Sequence, residues 1–65
     1  MSRLEEKTRQ RVEGAWPEGF NTKEEAELHG EAVVRLIRRH GEGILKVSSK
    51  KLRKLVKEEI NRMVS

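Results

Sequence analysis

Residues 47–64 read VSSKKLRKLVKEEINRMV, and the spacing within this stretch decides the fold. Leu52, Leu55, Val56, Ile60 and Met63 recur at three- and four-residue intervals, which puts them on one face of a helix. Ser48 stands where an N-cap accepts a hydrogen bond from the first turn. Val47 and Leu52 flank it at the two positions of a hydrophobic staple. Lys50, Arg53, Lys54 and Lys57 fall on the opposite face. Leu52, Val56 and Ile60 are the expected buried set. Glu59 lies inside the apolar arc, where an arginine partner or a place at the edge of the core would accommodate it.

The charge of this stretch is as informative as its periodicity. Six of the chain's fifteen basic residues fall within 46–57 (Lys46, Lys50, Lys51, Arg53, Lys54, Lys57), with no acid among them. The whole chain carries +4, so the remainder, nine bases against eleven acids, is net acidic. Acids near a helix N-terminus are favourable by about 0.3–1 kcal/mol each. Two earlier helices follow that rule, with Glu5 and Glu6 in one first turn and Glu24 and Glu25 in another. The third puts Lys50 and Lys51 there. This disfavours the isolated helix and favours an anion docked where free N–H groups, serine hydroxyls and lysines converge. Nucleic-acid phosphate is the expected anion.

Sixty-five residues make one small domain. Such a chain buries only about 60% of its unfolded surface and has little stability to spare. There is no cysteine, which suits a reducing compartment, and the expected location is the cytoplasm. No apolar run approaches the ~20 residues of a membrane span, and no secretory signal is read. Charged residues make up 40% of the chain, yet the apolar positions are periodic and the helix starts capped, which argues against disorder. All eleven acids are Glu. High Glu, Lys and Arg content fits a thermophile source and equally an engineered sequence of strong helix formers.

Ser2-Arg3-Leu4-Glu5 forms a capping box that opens a first helix near 2–15. Its apolar stripe is Leu4, Val12, Ala15 and Trp16, with Thr8 between. Pro17 ends it. Trp16-Pro17-Glu18-Gly19-Phe20 reads as a turn, and its two aromatics are expected in the core rather than stacked on bases. Asn21 or Thr22 caps a second helix near 22–39, with Ala26, Val33, Leu36 and Ile37 on one face and Gly41 as its stop. Arg38 and Arg39 stand in its last turn, where both helix-end stabilisation and a phosphate contact fit them. Ile44, Leu45 and Val47 are too apolar for a free loop. A strand-like piece or one helical turn under the bundle is expected there.

No catalytic constellation is present. Two histidines eleven residues apart do not make a zinc site, no Gly-rich phosphate loop exists, and Ser48 and Ser49 have no histidine at a spacing that suggests a triad. No cofactor, metal or enzymatic activity is expected. His29, four residues after Glu25, suits an ordinary hydrogen bond.

Residues 21–37, NTKEEAELHGEAVVRLI, resemble the opening of a small helix-turn-helix domain, with Thr22, Glu25, Ala26, Gly30, Leu36 and Arg39 laid on its pattern. His29 and Glu31 fall where that pattern has apolar residues, and Gly30 fits equally inside one continuous helix. A second placement takes helices two and three as the motif and 41–47 as a turn longer than the usual three to four residues. Helix three is then the recognition helix. The resemblance is to three-helical DNA-binding domains as a type, and it implies a role in transcription regulation.

The expected fold is all-α: one three-helix bundle, with helices near 2–15, 22–39 and 48–64. The expected function is nucleic-acid binding, with double-stranded DNA ahead of RNA, through helix three in the major groove. Ser48, Ser49, Lys50, Arg53 and Lys54 would face the groove. Lys46, Lys51, Lys57, Arg38 and Arg39 would contact phosphate, and Arg53 would reach a guanine edge. The rival readings are a protein-interaction or homodimerisation module and an engineered helical domain with a solvated basic face.

Overall fold

The computed structural model describes the backbone of residues 3–65 and the side chains of residues 6–65. Three α-helices follow in order, α1 (Arg3–Ala15), α2 (Lys23–His40) and α3 (Ser49–Val64), with a 3-10 turn (Glu42–Lys46) before α3. There is no strand among the described residues. The fold is the all-α three-helix bundle that the periodicity implies. The Ser2 cap and the Leu4 side chain lie outside the described residues.

Each boundary has a local cause. Pro17 follows the end of α1, and the chain reverses through Trp16–Gly19, where the Gly19 N–H donates to the Trp16 carbonyl at 2.9 Å. Thr22 caps α2, its hydroxyl accepting from the Glu25 N–H at 3.1 Å. Glu24 and Glu25 occupy the first turn of α2, and Arg38, Arg39 and His40 its last. Both ends therefore match the helix dipole. Gly41 stops α2 with φ 87° and ψ 174°, and its N–H donates to the Ile37 carbonyl at 2.7 Å. That extended, positive-φ geometry is one that glycine tolerates and other residues avoid.

Val12, Ala15 and Trp16 from α1 and its turn meet Ala32, Val33, Leu36 and Ile37 of α2 and Leu52 and Val56 of α3. Ile44 closes the core from below, so the apolar 44–47 segment is the helical-turn alternative. Ile60 is half-buried at the core margin, less enclosed than its spacing implies, and Phe20 is placed likewise. Ala32 is fully buried, although its small side chain attracts no notice in the sequence. The molecule measures 25 × 24 × 23 Å. The outer face of α3, with Lys50, Arg53, Lys54 and Lys57, is exposed.

Candidate nucleic-acid interface

The start of α3 is capped as its sequence implies. Ser48 is extended (φ −61°, ψ 155°) and its hydroxyl accepts from the Lys51 N–H at 3.2 Å. No acid occupies the first turn. Val47 is half-buried against the core and Leu52 fully buried, as a staple requires.

A residue without any local signature completes this corner. Arg11 of α1 donates from Nε to the Leu45 carbonyl (3.0 Å), from Nη2 to the Val47 carbonyl (2.6 Å) and from Nη1 to the Ser49 hydroxyl (3.2 Å). Those carbonyls leave the 3-10 turn with no helical partner, and a half-buried acceptor needs one. The planar guanidinium fork serves all three acceptors from one side chain. Arg11 therefore anchors the approach to α3. Its partners lie 34 to 38 residues away, so only its place on the flank of the Thr8–Ala15 stripe could have marked it.

Lys50, Lys54 and Lys57 follow at i, i+4 and i+7 along the outer face of α3, all exposed. Lys50 and Arg53 line one shallow depression beside the end of α1. Arg53, Lys54 and Lys57 line the next, between α3 and the first half of α2. The four make one continuous strip, with Lys46 and Lys51 also exposed. Every ion pair among the described residues uses an arginine: Arg9–Glu13, Arg35–Glu31, Arg39–Glu59 and Arg53–Glu18. None uses a lysine.

No protein-family model, no curated protein and no solved structure matches the chain. The helix-turn-helix resemblance therefore rests on the residues alone. One placement of it is removed by α2, which runs unbroken through Gly30. The α2–α3 placement keeps its long connection, now seen as Gly41, a 3-10 turn and the extended Val47.

The arginines of the expected site are placed differently from its lysines. Arg39 Nη1 donates to Glu59 Oε1 at 3.2 Å, and the Glu59 side chain is only 4% exposed. This is the arginine partner that the buried glutamate called for. Arg53 donates to Glu18 at 3.2 Å and lies 5.9 Å from the Trp16 ring centroid, a cation–π contact. Its guanidinium thus ties α3 to the α1–α2 turn, where a free guanine reader was expected. Ser49 is half-buried under Arg11. Arg38 is exposed, but it borders a separate depression with Glu31, Arg35 and Glu59.

Trp16 is buried and therefore belongs to the core. Its ring meets His29 edge-on at 5.1 Å, and His29 lies 4.5 Å from Phe20. His29 Nδ1 is 2.7 Å from the Glu25 carbonyl oxygen, which can only accept, so Nδ1 carries the proton. The bond is to backbone rather than to the Glu25 carboxylate. No group of residues that could hold a metal ion occurs among the described residues. No helix there is long and apolar enough to cross a membrane.

Proposed function

We propose that the chain is a nucleic-acid-binding module that lays α3 along double-stranded DNA, with Lys50, Lys54 and Lys57 on phosphates and Lys46 and Lys51 at the same end. One observation carries this reading: the exposed lysines of α3 have no acidic partner among the described residues, whereas Arg39 and Arg53 beside them do. An unpaired row of like charge repels itself, and a polyanion relieves that repulsion. A helix fits the major groove of B-DNA, which is about 12 Å wide, whereas the A-form groove of RNA is too narrow to admit one.

Lysine is a point charge on a flexible stem and suits phosphate. Reading a guanine edge calls for the rigid fork of arginine. Arg53, the one arginine on this face, is bound to Glu18 and Trp16. The pair is half-exposed, so exchanging Glu18 for a phosphate costs little. The module accordingly binds backbone more than sequence. The chain's net charge of +4 adds a weaker long-range attraction.

Anisotropy of a labelled random duplex, titrated at several salt concentrations, tests the proposal. Affinity should fall steeply with salt. Changing Lys50, Lys54 and Lys57 together to Gln should flatten the slope of log K against log salt by about 0.9 per lysine in contact. The melting temperature should not fall. Undetectable binding at low salt would refute the reading, as would a slope indifferent to the three lysines.

A further inference from the structure

We propose a second docking site, the groove between α1 and α2, and assign its occupant as a lysine- or arginine-flanked amphipathic helix of a partner protein. The groove has a volume of about 600 Å³. Thr8 and Val12 of α1 form one wall, Ala26, Gly30 and Val34 of α2 the other, and Phe20 also lines it. No residue of α3 takes part, so this surface is distinct from the lysine strip.

Three observations carry the assignment. The first is Gly30, in the middle of α2, where glycine weakens a helix relative to alanine. Its backbone is ordinary helix, and a methyl group built on it meets no atom within 4 Å. The benefit of a mid-helix glycine, close approach by another backbone, is thus unused within the chain. The second is Thr8, 5% exposed, whose hydroxyl has no hydrogen-bond partner. A buried orphan hydroxyl is unfavourable, and here it belongs to a residue of the groove wall.

The third observation is charge. Glu13, Glu27 and Glu31 border the groove with Arg9. Glu13 faces Arg9 at 4.0 Å and Glu31 faces Arg35 at 3.7 Å, both exposed surface pairs, and Glu27 has no ion-pair partner among the described residues. The margin is net negative, and it calls for cations on either side of an apolar or small-residue seam. A second copy of this chain does not supply that. Two-fold pairing through the groove would set glutamates against glutamates. The exposed lysine row of α3 carries one exposed apolar residue, Val64 at its C-terminal end, and so offers no apolar seam to insert.

Two synthetic helical peptides test the site, each with the same eighteen-residue Ala/Leu seam, one flanked by Lys and the other by Glu. Amide shifts of the full chain should move at Ala26, Gly30 and Val34 with the Lys peptide. The Glu peptide should bind at least ten-fold more weakly. Gly30→Leu fills the groove and removes a helix-weakening residue, so it should melt no lower than the parent and lose at least ten-fold in peptide affinity. Duplex-DNA affinity should be unchanged in that variant, which separates this site from the α3 reading. Glu13→Lys/Glu27→Lys should reverse the peptide preference. Unmoved groove amides, equal binding of the two peptides, or full peptide binding by Gly30→Leu would each overturn the proposal.

Discussion

The starts of α2 and α3 are built alike and charged oppositely. Each has an extended hydroxyl residue whose side chain accepts from the N–H three positions on, Thr22 at 3.1 Å and Ser48 at 3.2 Å. After Thr22 come Glu24 and Glu25; after Ser48 come Lys50 and Lys51. The first arrangement is what a helix dipole favours, and the second opposes it. The second start has two supports that the first lacks. Leu52 sits fully buried at its fourth helical position, where α2 has the half-buried Ala26, and Arg11 braces the incoming chain. The lesson is that packing holds the start of α3 and leaves its charge free for something outside the fold. A similar division separates Arg11, Arg39 and Arg53, which bond within the fold, from the lysines, none of which forms an ion pair among the described residues.

The most severe way to probe this contrast is to remove the packing. Leu52→Ala should destabilise the domain by about 2–5 kcal/mol, combining lost transfer energy with a cavity. Stability of about 0.05–0.15 kcal/mol per residue leaves a chain of this size little margin. Urea denaturation should therefore show most of the folded population gone. A near-neutral Leu52→Ala would mean that α3 is not seated by its staple.

Next in size is Arg11. Arg11→Met keeps the stem and removes the hydrogen bonds to Leu45, Val47 and Ser49, and it should cost about 1.5–3 kcal/mol. Arg11→Lys should recover only part of that, since a lysine cannot reproduce the fork. Glu24→Gln at the α2 start should cost less than about 1 kcal/mol. Equal effects at the two starts, read from denaturation midpoints, would erase the distinction between a packed start and an electrostatic one.

The caps themselves should not distinguish the two helices. Thr22→Ala and Ser48→Ala should each cost about 1 kcal/mol. If Ser48→Ala were free while Thr22→Ala was not, the α3 cap would be dispensable, and Arg11 would hold that corner alone.

The legible parts of this molecule were those governed by neighbours in the chain. The α3 periodicity, the Ser48 and Thr22 caps, the Pro17 stop and the glycine at 41 all act within a turn or two, and each stands where its spacing implies. Glu59 announced its need for a partner by falling in an apolar arc, and Arg39 meets it. Arg11 could not be read, because its acceptors are main-chain carbonyls more than thirty residues away and leave no side-chain signature. The partners of Arg53 were hidden for a related reason. A wheel places it on the exposed face, but only the folded turn brings Glu18 and Trp16 beneath it. Ile60 shares the face of Leu52 and Val56 but lies at the core margin, where it is only half-buried. The lysines were the readable part of the candidate interface, since a residue with no partner in the fold is described well by its position on a helix.

The central claim is that Lys50 and Lys51 serve binding at some expense to folding. The variant Lys50→Glu/Lys51→Glu, measured for melting temperature and for duplex-DNA affinity at low salt, tests it most directly. The account predicts a domain stabilised by about 1 kcal/mol, a rise of several degrees for a chain this small, with affinity reduced at least ten-fold. Unchanged affinity, or a loss of stability with binding retained, would contradict it.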